Sequence, residues 1–95
     1  AADARNVESL TNLAVVMLET ERAEDAATLL REALAIDPKH AASHYNLALI
    51  LERRGEIQAA VQHYRRFIDN SGSDQAALAG EARRRAAALS EKIGP

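Results

Sequence analysis

Apolar residues recur along this chain at spacings of three and four, the period that collects side chains on one face of an α-helix. Five such stretches follow one another, each closed by a stop signal. The first is predicted from Val7 to Thr20, with Leu10, Leu13, Ala14 and Met17 on one face. The second, Ala23 to Ile36, carries Ala26, Leu30, Ala33 and Leu34 and stops at Asp37-Pro38. The residue before a proline disfavours helix, and proline has no N–H to donate. The third, Ala42 to Arg54, turns Leu47, Ala48 and Leu51 inward and ends at Gly55. The fourth, Ile57 to Asn70, carries Ala60, Val61, Tyr64, Phe67 and Ile68 and breaks in Asn70-Ser71-Gly72-Ser73. The fifth is expected from Asp74, as N-cap, to Ile93, with Leu78, Ala82, Ala86, Leu89 and Ile93 in line and Gly94-Pro95 closing it. Short links between helices of this length force antiparallel neighbours, so the fold class is all-α, built of helical hairpins.

Shifting the chain against itself by 34 residues aligns residues 7–40 with 41–74. Ser9 falls on Ser43, Asn12 on Asn46, Leu13 on Leu47, Ala14 on Ala48, Ala26 on Ala60 and Arg31 on Arg65. Four of these pairs are small or apolar residues at places where two helices meet. Ala14 and Ala26 lack bulk, so two backbones can approach, and Leu13, Met17 and Leu30 are expected to fill the surrounding space.

The period and these positions resemble the tetratricopeptide repeat. In the first copy the matching residues are Leu10, Leu13, Ala14, Met17, Ala26, Leu30, Ala33 and Pro38; in the second they are His44, Leu47, Ala48, Leu51, Ala60 and Tyr64. Gly55 stands where that family favours a turn glycine, while Glu21 replaces it in the first copy. Phe67 replaces a small residue, and Gly72 replaces the second copy's terminal proline. In the fifth helix Glu81 and Arg85 occupy places that call for apolar residues, which marks it as a solvating cap. The resemblance implies a single domain over residues 1–95: repeat one at 7–40, repeat two at 41–74 and a capping helix at 75–93. It also implies a binding scaffold; an enzyme is not expected, because ligand and nucleophile constellations are missing from the sequence, and no cofactor is expected.

Composition agrees with the helical reading. The 95 residues include 21 Ala and 11 Leu, both strong helix formers, and only 3% are aromatic. A net charge of −2 supplies no field for nucleic acid. The basic cluster Arg83-Arg84-Arg85 has few aromatic partners for base stacking, and Glu81, four residues before Arg85, is expected to pair with it. Cysteine is absent, which excludes disulfides and thiolate chemistry but leaves the compartment open. No apolar run reaches membrane-span length, and the start lacks the pattern of a signal peptide. A start without Met suggests a piece of a longer chain, with the cytoplasm as the default location.

Candidate chemistry is sparse. His40 and His44 stand four apart, a spacing that can hold a metal on a helix, but no further ligand converges and no HExxH pattern occurs. His40 is better read as a capping residue and His44 as a packing residue. There is no glycine-rich phosphate loop and no nucleophile turn. Glu24-Asp25 is assigned to a solvated face.

The first helix of each hairpin lines the concave side of such a stack. The residues expected there are Glu8, Thr11, Asn12, Val15, Leu18 and Glu19, then Ala42, Tyr45, Asn46, Leu49, Glu52 and Arg53, with Ala76, Gly80 and Arg83 from the cap. Val15, Leu18, Tyr45 and Leu49 are more apolar than a solvated face requires, and suit the grip of a partner's peptide or helix. The competing account packs them against the neighbouring helix. Asn12, Asn46 and Arg53 are expected to orient the ligand. Asn46 matches an asparagine of the carboxylate-holding subgroup of these repeats. The basic positions that subgroup needs are Thr11, Ala76 and Gly80 here, which argues against capture of an acidic tail. Residues 1–40 carry a net charge of −4 and residues 75–95 a net charge of +2, a distribution that favours head-to-tail association into a homo-oligomer.

Overall fold

The computed structural model describes the backbone of residues 2–93 and the side chains of residues 6–93. Five α-helices follow one another: α1 (Ala2–Glu19), α2 (Ala23–Ile36), α3 (Ala41–Arg53), α4 (Ile57–Asn70) and α5 (Ala76–Ile93). A 3-10 turn at Ser73–Gln75 precedes α5, so Asp74 lies in that turn and does not cap the helix. The first helix begins earlier than the apolar pattern indicates, at Ala2. The expected closing pair Gly94-Pro95 lies outside the described residues.

The two hairpin turns share one geometry. Glu21 N–H donates to Leu18 O at 3.2 Å and Arg22 N–H to Met17 O at 2.7 Å; Gly55 N–H donates to Glu52 O at 3.0 Å and Glu56 N–H to Leu51 O at 2.9 Å. This wrap requires a left-handed residue after the helix. Gly55 adopts it at φ 79°, and Glu21 is held there at φ 62° despite its Cβ.

Packing pairs α1 with α2 and α3 with α4; α2 also packs on α3, and α5 packs on α4. Ala14, Ala26, Ala48 and Ala60 are fully buried at the close approaches. Leu30, Ile50, Tyr64 and Phe67 fill the volume between them.

Two expectations about inward faces are corrected. Leu13 does not fill the first hairpin's core; it is 45% exposed, whereas its repeat-mate Leu47 is 2% exposed. α3 is packed by two helices, α2 and α4, whereas among the described residues α1 packs on α2 and only touches α3. In α5 the buried line is Ala79, Ala82, Ala86 and Leu89, while Leu78 and Ile93 face outward. Alanines at these places let α5 settle close to α4, and Leu78, one residue from Ala79, is rotated about 100° off that contact.

Candidate functional site

The face that α1 and α3 share begins with their mutual contact. Thr11 was expected on the ligand side, but the structure buries it. Its hydroxyl donates to Val7 O at 2.8 Å and lies 3.1 Å from Ser43 Oγ, which in turn lies 2.7 Å from His40 Nδ1. One proton per hydroxyl gives these bonds a single direction, from His40 to Ser43 to Thr11 to the carbonyl. Thr11 is therefore consumed in joining the two repeats and is not offered to a ligand.

Beyond this joint lie the remaining expected residues. Val15 and Leu18 on α1, with Tyr45, Asn46 and Leu49 on α3, are half-buried, and Asn12, Arg53 and Arg83 are exposed. Leu18, Tyr45 and Leu49 rest on the buried core with one side and leave the other to solvent. Tyr45 is held most firmly. Its ring stands edge-on to Tyr64 at 5.9 Å and tilts against Phe67 at 5.0 Å between centroids. Phe67 thus has a use at its otherwise small position: it supplies the wall on which Tyr45 leans.

The edge of this face toward α5 is polar. Tyr64 Oη donates to Glu52 Oε1 at 2.7 Å, and Arg85 Nη1 donates to the same oxygen at 3.3 Å. Burial, then the bond to Glu52, pushes the Tyr64 phenol well above its usual range. Arg85 also donates to Glu81 Oε1 at 3.2 Å, the expected intrahelical pair, and Arg84 donates to Glu81 Oε2 at 2.6 Å. Arg85 does more than solvate the end of the stack: it ties α5 to α3. Arg83, its neighbour, stays exposed beside this edge.

Sequence reasoning missed a second polar cluster. His44 Nε2 donates to Pro38 O at 2.8 Å, which leaves its Nδ1 to accept from His63 Nδ1 at 2.9 Å. The rings stack at 5.1 Å. Burial, then the proximity of His44, Arg66 and Arg31, lowers the His63 pKa to about 4. The two residues are 19 apart in the chain, so only the antiparallel pairing of α3 and α4 brings them together. Glu24 and Asp25 are exposed as expected, yet each has a partner: Arg54 reaches Glu24 across the repeats, and Arg22 pairs with Asp25 at 2.7 Å. Among the described residues no group of three or more His, Cys, Asp or Glu is placed to hold a metal ion. No described helix is long and apolar enough to cross a membrane.

Comparison with known proteins agrees with this architecture. The family model described as tetratricopeptide repeat matches residues 11–75. No curated protein matches the chain.

Proposed function

The chain belongs to the tetratricopeptide repeat family, whose repeats mediate protein–protein interaction, and from that premise we propose that it is a non-catalytic module that binds a partner's peptide or helix on the shared face of α1 and α3. We read residues 1–95 as one domain, with repeats at 7–40 and 41–74 and a cap at 75–93. The observation that carries the reading is the row Val15, Leu18, Tyr45 and Leu49, each half-buried, of which Leu18, Tyr45 and Leu49 are anchored on the core from behind and open in front. Such residues are held in place before a ligand arrives, so binding orders little and gains apolar burial. Asn12, Asn46 and Arg53 flank the row and supply donors for a partner's carbonyls or carboxylates.

A selection from a displayed peptide library tests this. Binders are expected, and Leu49→Asp and Tyr45→Ala should each weaken them about 30-fold, as for residues at the centre of an interface. Circular dichroism of each variant must match the parent. Binders indifferent to both changes, or no binders, contradict the reading. A second reading, self-association through an exposed end helix, is favoured by one separate observation: the exposure of Leu13 and Val16 on α1.

A further inference from the structure

Two consecutive residues of α3 meet two consecutive residues of α4. Tyr45 stands edge-on to Tyr64 at 5.9 Å between centroids, and His44 reaches His63, Nδ1 to Nδ1, at 2.9 Å. The first contact holds an anchor of the binding face; the second is polar and lies next to it in the same pair of helices. In the first repeat the places of His44 and His63 are filled by Leu10 and Leu29. Joining two helices there does not by itself call for imidazoles.

Counting protons fixes the direction of the histidine chain. Pro38 O can only accept, so His44 donates to it from Nε2 at 2.8 Å and keeps a lone pair on Nδ1. His63 must then carry its proton on Nδ1 to donate to His44, and its Nε2 is the open lone pair of the chain. The α2–α3 loop, α3 and α4 are thus tied in series by two protons, and a third makes His63 a cation. The groups acting on that ring are His44 of α3, Arg66 of α4 and Arg31 of α2; among the described residues no carboxylate is one of them. Neither arginine has an ion pair among the described residues. In the loop, Asp37 is exposed and accepts from Lys39 N–H at 3.2 Å. A half-buried imidazolium with two guanidinium groups acting on it gains by turning out to water. His44 is 4% exposed. Once His63 leaves, the His44 Nδ1 is buried without a donor, a cost relieved only if α3 moves off α4 and lets water in. Tyr45, the next residue, moves with it.

We propose that this chain is a proton-sensitive latch on the binding face: when the His63 ring takes up a proton it leaves His44, α3 loosens on α4, and Tyr45 loses the wall that holds it for a partner. The effect on a partner rests on the binding face proposed for α1 and α3; the latch itself does not. Burial first, then His44, Arg66 and Arg31, lower the His63 pKa from 6.5 to about 4. A base lowered in this way favours the closed latch above pH 6.5, and that preference is lost as pH falls toward 4. With the ring partly open to solvent, partner affinity should fall about 10-fold between pH 7 and 5.

Nuclear magnetic resonance of labelled imidazole nitrogens, on the protein without a partner, tests the latch. At neutral pH His44 should carry its proton on Nε2 and His63 on Nδ1. Acid titration should move the amide signals of Tyr45 and Leu49 with the midpoint of His63. His63 found with its proton on Nε2, or Tyr45 signals that ignore the His63 midpoint, would overturn the latch. A library peptide with blocked ends and no His, Asp or Glu then reads the consequence by fluorescence anisotropy. Its affinity for the parent should show the 10-fold fall. For the double variant His44→Leu with His63→Leu, which copies the first repeat, the affinity should stay level over the same range. A level parent, or an equal fall in the double variant, would overturn the coupling. If the library yields no binders, the binding face fails while the nitrogen signals still decide the latch.

Discussion

The first helices of the two repeats carry similar residues in unlike surroundings. Leu13 and Val16 on α1 stand open, while Leu47 and Ile50 on α3 are almost wholly enclosed. The difference lies in the neighbours: α3 is packed by both α2 and α4, whereas among the described residues α1 packs on α2 and only touches α3. Apolar periodicity records which face a helix offers, but burial is decided by what arrives to cover it. The same pair of helices differs chemically on the shared binding face. Thr11, joined to Ser43, occupies in α1 the place that Tyr45 takes in α3. The second repeat thus supplies the aromatic anchor, and the first supplies the joint that fixes the angle between repeats.

The largest expected separation is at the matched leucines. Leu47→Ala should cost about 3 kcal/mol, as for a buried leucine, whereas Leu13→Ala should cost under about 1 kcal/mol. Denaturant titration of both variants reads this directly, and equal losses would break the comparison. The alanines sharpen it from the other direction. Ala14 and Ala48 are both fully buried, so Leu at either position should overpack the helix crossing and cost about 2 kcal/mol in each repeat. A large inequality between them would mean that the two crossings differ in tightness.

The next difference concerns pH. The second repeat has His44 and His63 where the first has Leu10 and Leu29. With its pKa lowered from 6.5 to about 4, folded His63 binds fewer protons than the unfolded chain within that window. Its contribution is therefore complete above pH 6.5 and is lost as pH falls toward 4. The ring is partly open to solvent, which holds the effect to about 1–2 kcal/mol. His63→Leu, copying the first repeat, should flatten the melting temperature between pH 6.5 and 4, and an undiminished slope would place the sensitivity elsewhere. The smallest effect is at the turns. Glu21→Gly relieves a side chain held at positive φ and should stabilise by about 1 kcal/mol, while Gly55→Ala should destabilise by a similar amount. Thermal melts of the pair check both signs.

The hairpins were legible in the sequence because their determinants are local. Pro38 and Gly55 end helices by their own backbone chemistry, and the alanines at 14, 26, 48 and 60 mark close approaches by their size alone. The bounds of α2 and α4 follow from such signals. The shortfall comes from relations across the chain. Whether Thr11 faces a ligand or Ser43 depends on the tilt between repeats, which no spacing encodes. The rotation of α5 depends on how closely Ala79 and Ala82 let it approach α4. His63 was visible as a residue, but its partner 19 positions away was not. Arg85 carried a usable hint: a long cation at an apolar place needs an anion nearby, and Glu52 joins the expected Glu81 in that part.

The central claim, that partners bind on the shared face of α1 and α3, is tested most directly by nuclear magnetic resonance. A peptide from the library selection is titrated into isotopically labelled protein while the amide and methyl signals are followed. The largest shifts should fall on Val15, Leu18, Tyr45 and Leu49, with those of α2 and the outer side of α4 unmoved. Shifts concentrated on α2 and α4, with that row silent, would contradict the account.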